Sequence, residues 1–168
     1  MGNISRHTGI NIGGLNSINW IYKEDVGIFK IFPATLICMI TPKTGKSWNA
    51  LYGTPETIQL ESEQQDTPAG IKYIYKLKIL VPKDRAPVET ELYAMTGRWL
   101  ILKSGDKNGT VRIFGTLDSP MKVTSKLLKP SVLEGFNGYE LLFAGEFSTP
   151  AAYYLDPNGP IPDDENQD

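Results

Sequence analysis

One cysteine and one histidine occur among the 168 residues, and these two scarcities exclude most familiar site chemistries. A single thiol, Cys38, cannot form an internal disulfide or a multi-cysteine metal centre. It lies in Leu36-Ile37-Cys38-Met39-Ile40, where a thiol is expected to be a small, inert core residue. His7 is the only imidazole, so a histidine-based triad would have to draw its base from the first few residues. A histidine-bridged zinc site lacks ligands. No apolar run approaches the roughly 20 residues of a membrane-spanning helix. The longest, Ile31 to Ile40, is broken by Pro33. The start of the chain lacks the basic, apolar and small-residue pattern of a secretory signal. Arg6 stands where an N-myristoylation sequence has serine or threonine. These absences lead to the expectation of a soluble, cytoplasmic chain.

Net charge is also low, at −2 from 17 basic and 19 acidic residues, and it is unevenly spread. Asp156, Asp163, Asp164, Glu165 and Asp168 fall in the last thirteen residues, with no basic residue among them. The remainder carries 17 basic and 14 acidic groups, a net +3, far short of a dedicated nucleic-acid binder. The length suits one domain, and 40% hydrophobic residues is ordinary globular usage.

What is present points to β structure. Ile71, Tyr73, Tyr75, Leu77, Ile79 and Val81 occupy every odd position of one stretch, with Lys72, Lys76 and Lys78 on the other face. A strand with one buried face requires that spacing. Thr57 to Glu63 also alternates, and the polar stretch Gln64 to Gly70 is expected to join the two strands as the loop of a long hairpin. Trp20 to Phe32 reads as a strand interrupted at Glu24-Asp25. The apolar stretch between Pro33 and Pro42 fits either a strand or a short helix. Pro87 to Thr96 reads as a helix: Pro87 suits its first turn, Glu89 and Glu91 its positive end, and Gly97 a left-handed cap. Val88, Leu92 and Met95 would share its apolar face. Trp99 to Lys103, Val111 to Phe114, Met121 to Leu127 and Tyr139 to Phe147 read as strands, with Asn108-Gly109 and Asn137-Gly138 as hairpin turns. The expected fold class is mostly β, an antiparallel sandwich or barrel with a long hairpin and one flanking α-helix. Residues 1–19 would be a flexible arm, 20–155 a single domain and 156–168 a disordered acidic tail.

Few residues assemble into chemistry. Thr44-Gly45-Lys46-Ser47 resembles the end of a phosphate-binding loop, but Ile40 stands where that motif needs its first glycine. Asp106, Asn108 and Gly109 match part of a calcium loop whose other ligand positions are missing. Asn3-Ile4-Ser5 and Asn108-Gly109-Thr110 match glycosylation sequons in a chain without an export signal. Carboxylates are plentiful at Glu61, Glu63, Asp66, Glu89, Glu91, Glu140 and Glu146, but at alternating strand positions they read as a solvated face. The lysine stripe of residues 72, 76 and 78 can track single-stranded nucleic acid only with aromatics beside it. Tyr73 and Tyr75 point to the opposite face, so lysines facing solvent, a lumen or a neighbouring subunit are favoured.

From Trp99 onward a further pattern emerges. Trp99-Leu100-Ile101, Asp106-Lys107-Asn108-Gly109 and Gly115-Thr116-Leu117-Asp118-Ser119-Pro120-Met121 are followed by Asn137-Gly138-Tyr139-Glu140-Leu141, Phe143-Ala144-Gly145-Glu146, Pro150-Ala151 and Tyr153-Tyr154. This order resembles small virion structural proteins of Bacteroidetes phages and prophages, over roughly residues 99–155, about a third of the chain. The resemblance implies a tail or neck role, with copies of itself and other virion proteins as partners, and a place in the virion as well as in the host cytoplasm. It brings no catalytic residue. The expectation is therefore a self-assembling subunit rather than an enzyme, without cofactor or metal and without a membrane partner. Its arm and hairpin would lie in the contacts, with Lys72, Tyr73, Tyr75, Lys76, Lys78, Trp48 and Tyr52 as candidate interface residues. Two alternatives are a glycan- or nucleic-acid-binding module using Trp48, Tyr52 or the lysine stripe, and a carboxylate hydrolase with two close acids in a cleft.

Overall fold

The computed structural model describes residues 13–132 and 134–158. Its strands are β1 (Leu15–Tyr22), β2 (Val26–Phe32), β3 (Ile37–Pro42), β4 (Asn49–Leu51), β5 (Gln59–Thr67), β6 (Gly70–Pro82), β7 (Leu100–Asp106), β8 (Val111–Phe114), β9 (Lys122–Leu128), β10 (Gly138–Phe147) and β11 (Tyr153–Tyr154). One α-helix, α1 (Ala86–Met95), lies between β6 and β7. The strands form a seven-stranded sheet, ordered β2-β3-β11-β8-β7-β1-β4, and a four-stranded sheet, ordered β5-β6-β10-β9. The fold is mostly β, and of the two expected architectures it is the sandwich with one flanking helix. Every pairing is antiparallel except β11 with β3.

The alternation in β6 does what its spacing dictates. Tyr75, Leu77, Ile79 and Val81 are buried, and their partners in β10, Tyr139, Leu141 and Phe143, are buried with them. These side chains meet Ile18, Trp20, Leu100, Leu102 and Phe114 of the larger sheet. Leu92 and Met95 of α1 close one end of this core, and the helix bounds agree with its sequence signals. Pro87 sits in the first turn, and Gly97 follows the last with φ +76°.

The larger sheet buries its other face too. Ile21, Ile101 and Ile113 are chain neighbours of core-facing residues and therefore point the opposite way. They pack with Val26, Cys38, Ile40 and Ala152 into a second, smaller core. Cys38 has no exposed surface, and burial pushes its thiol up to about 12, so it is inert as expected.

Three expectations need correction, and one open reading is decided. The arm cannot extend to residue 19, because Leu15–Asn19 open β1, a strand between β7 and β4. The buried Ser104 hydroxyl donates to the Ser17 carbonyl at 2.9 Å across that pairing. The remaining arm, residues 1–12, lies outside the described residues, as do His7 and residues 159–168 of the tail. The loop expected at Gln64 to Gly70 is only a tight turn, since β5 runs on to Thr67 and pairs with Gly70. Of the two readings left open for the stretch Pro33–Pro42, the structure has the strand, from Ile37. Asn137-Gly138 is no tight hairpin: residues 129–137 connect β9 to β10, and Gly138 already belongs to β10.

Candidate functional site

Three of the seven candidate interface residues share one surface. Lys72, Lys76 and Lys78 line the outward face of β6, away from the core. Lys72 meets Glu146 at 2.8 Å and Lys78 meets Glu140 at 2.7 Å, both acids on β10. Lys76 lies opposite Glu61 of β5 in the ladder. Exposed pairs of this kind add little stability each, but they cancel the positive stripe locally.

The other four lie elsewhere. Tyr75 is 8% exposed, and its hydroxyl accepts a hydrogen bond from the Ala151 amide at 3.0 Å while its ring meets Phe114 and Phe147. Tyr73 packs half-buried against the same core. As single-chain surface, these two tyrosines are therefore on the core side. Trp48 packs on the second core beside Tyr154, and the Lys103 ammonium stands 4.8 Å from one ring centre and 4.6 Å from the other. Desolvation there lowers the pKa of Lys103. Tyr52 is exposed at the rim of a groove of about 410 Å³ between β4 and α1.

Acids do not converge on a metal: among the described residues no group of three or more His, Cys, Asp or Glu is arranged to hold one. The Asp106 carboxylate instead accepts the amides of Asn108 and Thr110, at 2.9 and 2.8 Å, and shapes the β7–β8 turn. Asp84 accepts a hydrogen bond from the buried Tyr139 hydroxyl at 2.7 Å and meets Lys129 at 2.6 Å. Lys129 first, and Tyr139 second, hold the Asp84 carboxyl below the usual range. This contact ties the segment before α1 to β10 and is structural.

The most unusual feature is β5. None of its nine residues is buried. It pairs with β6 on one side and, among the described residues, has no strand on the other. Its acids, Glu61, Glu63 and Asp66, come without a basic residue. The opposite edge, β9, has two lysines, Lys122 and Lys126, no acid, and no buried residue either. Sequence reasoning found the β6 lysines but missed these edges. The available signal was a run of strands each bearing charge of a single sign.

Compared with family models, curated proteins and solved structures, the chain matches none. The surface must therefore be read from its own chemistry. No helix among the described residues is long and apolar enough to cross a membrane.

Proposed function

We propose that this chain is a structural subunit that assembles with copies of itself, of the tail or neck class that residues 99–155 resemble. The observation that carries this reading is β5, a nine-residue edge strand that buries no side chain. An edge strand presents unpaired amides and carbonyls, and monomeric proteins usually shorten, cover, kink or charge such edges; of these devices β5 has only the charge. Here β5 is long, lacks proline and pairs in unbroken register with β6 from Gln59 to Thr67. It adds nothing to the core, so its length is accounted for by a partner on its open side. Exposed Leu60 and Ile71 on this hairpin point the same way.

The nucleic-acid alternative has less support. Two of the three β6 lysines are engaged by β10 glutamates, and the tyrosines beside them sit on the core face. A hydrogen-exchange comparison tests assembly through β5. The outward-facing amides of Gln59–Thr67 are expected to exchange about tenfold or more slowly in concentrated than in dilute protein. Equal exchange at both concentrations would contradict the reading.

A further inference from the structure

We infer that the partner on the β5 edge is the β9 edge of a second copy, so that four-stranded sheets join head to tail into one continuous antiparallel sheet. This rests on the self-assembly reading above and names its contact.

Three observations converge. The first is the order of charge. Within their strand bounds β5 carries only acids, β6 only lysines, β10 only acids and β9 only lysines. The sheet therefore alternates in sign strand by strand, and a β9–β5 junction continues that alternation without a break. A two-fold junction would instead set β5 against β5 or β9 against β9. Like charges would then stand directly opposite, which is unfavourable in a sheet.

The second is direction. Each neighbouring pair in this sheet is antiparallel, so β5 and β9, three strands apart, run in opposite directions. Copies facing the same way then meet in an antiparallel junction of the type already used inside the sheet. Such a heterologous contact repeats into a ring or a filament.

The third is the side-chain rows that cross the sheet. Glu61 lies opposite Lys76, which lies opposite Ala144, which lies opposite Lys122. The row beginning at Leu60 passes Leu77 and Phe143 and ends at Val123, and the row beginning at Gln59 ends at Thr124. The rows thus put Glu61 and Lys122 on one face of the sheet and Leu60 and Val123 on the other. Met121, just before β9, already pairs with Leu100 of β7, so an incoming β5 lies along Lys122–Leu128. Full antiparallel overlap from Gln59 to Gln65 there sets Glu61 opposite Lys126 and Leu60 opposite Leu127. Lys122 also stands 4.1 Å above the Trp99 ring, which holds its ammonium at this edge.

Sedimentation velocity at low salt tests the junction with the full chain, the paired reversals Glu61→Lys/Glu63→Lys and Lys122→Glu/Lys126→Glu, and the fourfold variant. The wild-type chain is expected to form oligomers, and each paired reversal to dissociate them at the same concentration. The fourfold variant, or an equimolar mixture of the two reversals, is expected to restore assembly. That rescue also demonstrates that the reversed chains fold. Should a reversal fail to fold by circular dichroism, the neutral pairs Glu61→Gln/Glu63→Gln and Lys122→Gln/Lys126→Gln replace it, each expected to weaken association at least tenfold. If the wild type assembles and the edge variants assemble equally well, the β5–β9 junction is wrong while self-assembly stands. A wild-type chain that stays monomeric overturns both.

Discussion

Phe143→Ala is expected to remove about 3–5 kcal/mol of stability, the usual cost of truncating a fully buried phenylalanine. Phe143 has no exposed surface and sits at the centre of the four-stranded sheet, between Leu77 of β6 and Val123 of β9. Its ring packs in the core that joins both sheets, with Leu141, Leu77 and Phe114. Removing it leaves a cavity that regular strands on both sides cannot collapse to fill. The neighbouring change Leu142→Ala is the matched control, because Leu142 points to the outward face and is only partly buried. It should cost about 1 kcal/mol or less. Urea unfolding measures both: the Phe143→Ala midpoint should fall well below that of Leu142→Ala with the slope unchanged. Equal midpoints would show that the two-sheet core is misassigned.

Gly138→Ala should be nearly as damaging, for a backbone reason. A Cβ at Gly138 would lie 2.2 Å from the Val81 carbonyl oxygen and 2.9 Å from the Lys83 amide nitrogen, and φ is +155°. Both obstacles are main chain, so no side-chain rotation relieves them. Gly138 pairs with Pro82 on one side and Leu128 on the other, and any shift disturbs both ladders where β10 begins. Overpacking together with backbone strain suggests a loss of about 2–4 kcal/mol. For a chain of this size that corresponds to a fall in Tm of roughly 5–15 °C. Gly109→Ala isolates the conformational part, since its φ is +85° and an added Cβ meets nothing within 4 Å. It should cost about 1 kcal/mol. A Gly138→Ala protein no less stable than Gly109→Ala would contradict the close approach at β10.

These sites also show what a sequence of this kind discloses. β6 was legible because one face is buried and the other wet, which is the condition for a period of two. β1 was not, because Ile18 and Trp20 face one core while Ile21 faces the other. With both faces buried there is no alternation to see, so part of a central strand reads as an arm. β5 was legible only in its first half, for the opposite reason: none of its residues is buried on either face, so its second half, Gln64–Thr67, is polar throughout and reads as a loop. Helix α1 was clear because its signals are local, a proline in the first turn and a glycine just past the end.

The candidate surface was half visible on the same grounds. The β6 lysines could be placed on one face from spacing alone. Their acidic partners on β10, the acids of β5 and the lysines of β9 reach that face only through pairings between distant segments. Strand order is not encoded in any local period. Trp48 and Tyr52 read from the sequence only as exposed aromatic residues, but their surroundings depend on how the second core and α1 close over them.

The central claim is that this β sandwich is built to join copies of itself. Sedimentation equilibrium of the native chain across a wide concentration range, at low and at high salt, tests it most directly. The expected result is a mass that rises above the 18.6 kDa of one chain as protein concentration increases, and that falls back as salt screens the charged edges. A single 18.6 kDa species at every concentration and salt would contradict it.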